Sequence, residues 1–191
     1  METDKFTGHS NCKYENGEYC GDFVNGIRQG HGTMIFSNHD IYDGEWNNGK
    51  MHGEGTYKFW GKSEDRFVQV YEGGFTDGKR NGCGKMRFSN RDIYEGTWQN
   101  DFRTGEGICW FADGSIFHGI WKFDEMVRGV FRKKNGDFYD GEFKNRRFHG
   151  YGKIFYTDGN WFEGLFDNGE PLRGKLFKMD GEIIEIANCT Y

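Results

Sequence analysis

The stretch YDGEWNNGKMHGEGTYKF, from Tyr42 to Phe59, returns along the chain as YCGDFVNGIRQGHGTMIF from Tyr19, YEGGFTDGKRNGCGKMRF from Tyr71, YEGTWQNDFRTGEGICWF from Tyr94 and YDGEFKNRRFHGYGKIFY from Tyr139, with looser copies from Phe117 and Phe162. Such self-similarity constrains the fold more than any other feature, because each copy must be a small unit that buries its apolar side by stacking on its neighbours. The seven starts, at residues 19, 42, 71, 94, 117, 139 and 162, lie 23, 29, 23, 23, 22 and 23 residues apart, and the excess falls where WGKSEDRFVQV precedes Tyr71.

Three columns recur. Glycine stands two places after the opening aromatic, at Gly21, Gly44, Gly73, Gly96, Gly119, Gly141 and Gly164, and a second aromatic stands four places after it, at Phe23, Trp46, Phe75, Trp98, Trp121, Phe143 and Phe166. A further glycine column runs through Gly32, Gly55, Gly84, Gly107, Gly129, Gly152 and Gly174 once one residue is deleted in the fifth and seventh copies. Positions 0, +2 and +4 share one face of a strand, as do +11, +13, +15 and +17, where Met34 and Phe36, Tyr57 and Phe59, Met86 and Phe88, Phe111, and Ile154 and Tyr156 join the set. Each copy therefore reads as two strands joined by a turn such as NNGKMH. Only Leu165, Leu172 and Leu176, and only Ala112 and Ala187, represent the best helix formers.

The fold class that follows is all-β: an elongated, twisted single-layer antiparallel sheet of consecutive hairpins with a concave trough of aromatics and glycine. Gly44, Gly55, Gly73, Gly84, Gly96 and Gly107 are structural in this reading, a floor without Cβ atoms on which rings lie flat. The opposite face belongs in water, with Asp43, Glu72, Glu95, Asp140 and Glu163 set against Lys58, Lys85, Arg87, Lys153 and Lys175 for pairing across strands. Asp113-Gly114, Asn135-Gly136, Asp158-Gly159 and Asp180-Gly181 supply turns between hairpins, with Asn38 and Asn90 in the equivalent places. At the end of the array Ile184 takes the aromatic column and Ile186 the glycine column, so EIIEIA reads as a closing strand, while CKYENGEY reads as the second half of an earlier copy.

YDGEWNNGKMHGEG resembles, nearly letter for letter, the MORN repeat (membrane occupation and recognition nexus), Y-x-G-x-W-x-x-G-x-x-x-G-x-G, and the resemblance covers Tyr19 to Ile184. The chain departs from that pattern at Asp101, Asp124 and Arg146, which replace the mid-repeat glycine, and in the shortened second halves MVRGVFRKKNG and PLRGKLFKMDG, where distorted hairpins are expected. The organisation is then residues 1–18 as an N-terminal segment and partial repeat, 19–184 as seven repeats, and 185–191 as the end of the capping strand and a tail. The resemblance implies structural or adaptor roles, as in ciliary radial spokes, basal complexes of parasites, myosin-tail adaptors and junctional membrane proteins. Where family arrays carry a lipid kinase or a lysine methyltransferase it is an attached domain, and only a short tail follows the last copy here, so the expectation is the module without an enzyme.

Thirty acids against 25 bases, a net charge of −5 with mixed signs throughout, exclude a nucleic-acid footprint. No apolar run reaches the roughly 18 residues of a membrane-spanning helix, and METDKFTGHS lacks the features of a signal peptide, which points to the cytoplasm. Cys12, Cys20, Cys83, Cys109 and Cys189 are an odd number without a C-x-x-C pair, so reduced thiols are expected, and Asn188-Cys189-Thr190 matches a glycosylation acceptor only by coincidence. His9, His31, His39, His52, His118 and His149 are scattered, the carboxylates recur as a periodic stripe, and no nucleophile elbow, P-loop or zinc motif is present. No catalytic residue, metal or cofactor is expected.

What remains is an aromatic trough with polar banks. The expected function is a non-enzymatic scaffold that seats an extended peptide or amphipathic helix of a protein partner along it, with Tyr42, Trp46, Tyr71, Tyr94, Trp98 and Trp121 as anchors, in a cytoskeletal, ciliary or cortical assembly. One alternative is a peripheral module for acidic membrane lipid, carried by Lys79-Arg80, Arg132-Lys133-Lys134 and Arg146-Arg147. Self-association into a homodimer is another.

Overall fold

The computed structural model describes residues 6–187, and the chain divides into two compact units, Met1–Phe102 and Arg103–Tyr191. The first contains β1 (Gly8–Tyr14), β2 (Gly17–Val24), β3 (Ile27–Phe36), β4 (Ile41–Asn47), β5 (Lys50–Gly61), β6 (Arg66–Thr76), β7 (Lys79–Arg87) and β8 (Ile93–Gln99). The second contains β9 (Phe102–Trp110), β10 (Ile116–Lys122), β11 (Glu125–Arg132), β12 (Phe138–Lys144), β13 (Arg147–Phe155), β14 (Trp161–Asp167), β15 (Glu170–Phe177) and β16 (Ile183–Ala187).

Within each unit every strand pairs antiparallel with the next in chain order, and neither sheet closes on itself. No helix occurs among the described residues. The all-β fold of consecutive hairpins is thus the one expected from the repeat.

Local chemistry explains each hairpin. Inside the repeats, Asn25-Gly26, Asn48-Gly49, Asp77-Gly78 and Asn168-Gly169 have positive φ at both positions, the type I′ turn that matches the twist of its strands. Asp101, Asp124 and Arg146 adopt the same left-handed conformation, with φ of 72°, 67° and 62°, so the turn survives the loss of glycine at a cost in backbone strain. Between repeats, His39 and Arg91 hold the left-handed position that Gly114, Gly136, Gly159 and Gly181 hold elsewhere. Asn38 and Asn90 brace those two loops by accepting from the amides of Asp40 and Asp92.

β1 pairs Cys12 with Tyr19 and Ser10 with Gly21, and β16 pairs Ile184 with Leu176 and Ile186 with Gly174. The six extra residues before Tyr71 lengthen one hairpin: β5 has 12 residues and β6 has 11, and Trp60 and Phe67 pack edge to face at 5.0 Å near its tip.

The two shortened copies still form antiparallel hairpins. Their register shift moves, however: it falls at Ile120/Trp121 and Leu165/Phe166, whereas in the first three copies it lies between the +2 glycine and the +4 aromatic. Such a shift bends the strands where it falls, and the bend carries the end of the hairpin over its own opening ring.

That ring rests on glycine. A Cβ on Gly55 would lie 2.5 Å from the Tyr42 ring, one on Gly84 would lie 2.5 Å from Tyr71 Cζ, and one on Gly152 would lie 2.5 Å from Tyr139. The pairings Gly44↔Gly55, Gly73↔Gly84, Gly84↔Gly96 and Gly119↔Gly107 set the two glycine columns side by side across neighbouring strands.

Gly55 has ordinary backbone angles, so a substitution there tests the contact alone. Gly55→Ala is expected to destabilise the first unit by about 3 kcal/mol, as overpacking of a filled core does. Gly78→Ala, where nothing lies near the added Cβ but φ is +84°, should cost only about 1 kcal/mol of backbone strain. Urea unfolding followed by far-UV circular dichroism measures both.

Candidate functional site

The face that carries the glycine columns is a sealed core. Tyr42, Trp46, Tyr71, Tyr94, Trp98 and Trp121, the expected anchors for a partner, are at most 3 % exposed. The six rings are thus packed into the concave face over glycine and are not presented on its surface. In the first unit, Tyr19 lies edge to face with Phe23 and Trp46, Tyr42 with Trp46 and Phe75, and Tyr71 with Phe75 and Trp98, at centroid distances of 5.0 to 5.4 Å. Tyr94 packs on Trp98 in the same way. In the second unit Trp121 packs on Phe117, which continues to Phe143. Each such pair contributes about 0.5–1.5 kcal/mol beyond area burial.

The polar tips of these rings are satisfied inside. Tyr42, Tyr71, Tyr94 and Tyr139 donate to the carbonyls of Glu45, Gly74, Thr97 and Glu142 three residues on, and Trp46, Trp98 and Trp121 donate to the carbonyls of Gly32, Gly84 and Gly107. In three copies the residue nine places after the opening aromatic forms a lid. Arg28, Arg80 and Arg103 lie 4.2, 4.4 and 4.3 Å over the rings of Trp46, Trp98 and Trp121. Arg80 and Arg103 are held there by Asp101 and Asp124, through Nε to the carboxylate and Nη2 to the carbonyl. Sequence spacing placed the aromatic face and its concavity correctly but showed neither how far the sheet bends nor this lid.

The outward face differs between the units. In the first, the row directly opposite the core reads Glu18, Ile35, Ile41, Lys58, Val70, Arg87 and Ile93 across successive strands, so charge interrupts it. In the second, the same row reads Trp110, Ile116, Arg132, Phe138, Phe155, Trp161, Phe177 and Ile183. Here four rings stack as a ladder: Phe138 on Phe155 at 4.5 Å and 17°, Phe155 against Trp161 at 5.9 Å and 17°, and Trp161 on Phe177 at 3.9 Å and 4°.

Tyr151 (52 % exposed) and Leu165 (44 % exposed) stand beside this ladder, and a shallow pocket is lined by Tyr151, Leu165, Arg173 and Phe177. Lys153–Glu163 and Lys175–Glu185 pairs separate the two apolar sets, and the Tyr151 hydroxyl donates to Glu163. The cross-strand charge pairing expected on this face is present, also as Lys85–Glu95 and Arg87–Glu72. The apolar row was not foreseen; its signal is the residue just before each opening aromatic, Phe138 and Trp161, together with Phe155 and Phe177 sixteen and fifteen places into their copies.

No cluster of metal-binding side chains occurs among the described residues, and no helix is long and apolar enough to cross a membrane. No disulfide joins Cys12, Cys20, Cys83 and Cys109; the Asn188-Cys189-Thr190 triplet lies outside the described residues.

A MORN-repeat family profile matches residues 19–41, 42–59, 71–93, 94–116, 117–138 and 139–161. MORN repeat-containing protein 3 of Xenopus laevis is 32 % identical over 85 residues, 44 % of this chain and 36 % of that protein. Alsin of Rattus norvegicus is 35 % identical over 86 residues, 42 % of this chain and 5 % of its own length. The chain thus spans a small part of the curated relatives it matches. Among solved structures, the TCP domain of Drosophila melanogaster SAS-4 (dCPAP), determined with a proline-rich motif of Ana2 (dSTIL), aligns with a TM-score of 0.51 and 11 % identity over 83 % of this chain and 84 % of that one, a likeness of fold.

The sealed core has two measurable consequences. Burial pushes the Tyr19 and Tyr139 hydroxyls up to about 12 from the ordinary 10.0, and raises Tyr42 and Tyr71 further. The stability they lend is complete below pH 10 and is lost as pH rises from about 10 through about 12, because the unfolded chain gives up phenolic protons that the native state keeps. An alkaline difference-absorbance titration, run beside far-UV circular dichroism, should show these tyrosines ionising together with unfolding and not before it. Trp98→Ala should cost about 3–5 kcal/mol of stability in thermal or urea unfolding, the effect of a core truncation.

Proposed function

The chain belongs to the MORN-repeat family, and on that premise we propose that it is a non-enzymatic scaffold that holds an extended segment of a partner protein against the ladder of Phe138, Phe155, Trp161 and Phe177. The observation that carries this reading is the ladder itself: contiguous flat rings left partly open on a face where the first unit alternates apolar residues with charge. Aromatic side chains cost little ordering entropy and anchor most binding hot spots, and the Lys153–Glu163 and Lys175–Glu185 pairs give a polar rim.

A domain of similar fold has been solved with a proline-rich motif. An extended proline-bearing segment is stiff before it binds and suits a row of rings with their faces nearly parallel. The setting we infer is a structural assembly of the cytoplasm, cytoskeletal or ciliary, in keeping with the adaptor roles that the family resemblance implies.

Trp161→Ser tests the reading, because this ring faces outward and its loss leaves the inner core whole. Proximity labelling in the native cell with wild type and variant, followed by titration calorimetry with the segment recovered, should show at least a tenfold loss of affinity with less than about 1 kcal/mol change in stability. An unchanged set of neighbours and unchanged affinity would remove the ladder as the docking surface.

A further inference from the structure

Three features, one at Phe131 and two at Arg146, meet at one place on the inner face of the second unit. The first is the shortened fifth copy, which brings Phe131 opposite both Phe117 and Tyr139, the column that Met34, Tyr57, Met86, Cys109, Ile154 and Leu176 fill elsewhere. Met34, Met86, Cys109 and Ile154 are buried, whereas Phe131, like Tyr57 and Leu176, is half-buried; it lies 5.9 Å from Phe111 and 6.1 Å from Phe148.

The second is Arg146, which stands where four copies have glycine and carries a cation on a left-handed turn. The third is a missing latch. The amides of Gly49, Asp101, Asp124 and Gly169, each at the same turn position, donate to the carbonyls of Arg28, Arg80, Arg103 and Phe148, 21 residues earlier, which docks each turn on the hairpin before it. The Arg146 amide makes no such bond among the described residues. A groove opens there, lined by Phe131, Phe143, Arg146, Arg147, Phe148 and Gly169.

The charge of this groove is unusual for a chain of net charge −5. Strand alternation splits the Arg132-Lys133-Lys134 run: Arg132 joins the outward row, while the Lys133 ammonium lies 5.6 Å over the Phe148 ring. Arg146 reaches to 5.9 Å from the Phe111 ring. Two basic runs from different copies therefore share one rim, and Lys133, Arg146 and Arg147 form no ion pair with any described residue. Lys133 is also attracted to the Asp137 carboxylate; three cations beside a half-buried aromatic floor are nonetheless complementary to one kind of occupant.

We propose that this groove docks an acidic amphipathic segment of a partner protein, with an apolar side chain on Phe131 and Phe148 and carboxylates on Lys133, Arg146 and Arg147. Guanidinium groups take carboxylates bidentately, and their attraction grows where the aromatic floor excludes water. Phosphate headgroups would be drawn by the same cations, but a membrane needs a flat basic surface, and the lysines and arginines here line the wall of a concavity. The groove lies on the face opposite the Trp161 ladder and is independent of it.

The probe is a short fluorescein-labelled peptide of glutamates and aspartates around a central Trp, with a twin in which every carboxylate is an amide, read by anisotropy at physiological salt. The wild type is expected to bind the acidic peptide at least tenfold more tightly than its twin. Arg146→Gly, which restores the residue of other copies and relieves the turn, should weaken binding at least tenfold with the fold intact, as should Arg147→Glu. Trp161→Ser should leave it unchanged. No preference for the acidic peptide, or a preference that survives both arginine variants, overturns the proposal. So does Arg146-dependent binding to phosphatidylinositol bisphosphate vesicles without peptide binding, which would assign the groove to a membrane.

Discussion

The contact between a tyrosine ring and two glycines on neighbouring strands is the constraint from which the rest of this structure follows. A single antiparallel layer has no second sheet to bury its apolar side. Here the opening ring of each copy lies flat on backbone that lacks side chains, as Tyr42 does on Gly44 and Gly55, and its hydroxyl is taken by a carbonyl of the same bend. The register shift beside the glycine then bends the hairpin, and the second aromatic of one copy closes against the first of another. A buried core is built from one layer and one turn at a time, with guanidinium lids such as Arg80 completing it.

Much of this was legible in the residues. Alternation at 0, +2 and +4 gave the face, and the Asn-Gly and Asp-Gly pairs gave the turns. What was not legible is how far the sheet bends. Period-two alternation records which side a residue faces and carries nothing about curvature, so Tyr42, Trp46 and Trp98 read equally well as the floor of an open trough or as a closed core. The lid was hidden for a related reason: Arg28, Met51, Arg80, Arg103, Met126, Phe148 and Pro171 share one position but no chemical type, and only geometry reveals that Arg28, Arg80 and Arg103 lie over tryptophan rings and Phe148 over Tyr139.

Sealing the core shifts the search for function to what differs between copies. Residues that repeat maintain the array, and those that break the pattern are free to serve a partner. The outward ladder exists because the second unit replaces Lys58 and Arg87 of the first with Phe155 and Phe177. The inner groove exists because one copy is a residue short and the next carries Arg146 at its turn. Both surfaces lie in the second unit, on opposite faces, and both present aromatic rings that the glycine columns do not accommodate.

The sealed core is tested most directly by solvent exchange at the indole nitrogens, observed residue by residue by NMR in deuterated buffer. The Nε1 protons of Trp46 and Trp98, bonded to the carbonyls of Gly32 and Gly84, should exchange only through unfolding of their unit, and that of outward-facing Trp161 within the dead time. Rapid exchange at Trp46 and Trp98, alike with Trp161, would mean that the rings line an open trough and would contradict a core closed over glycine.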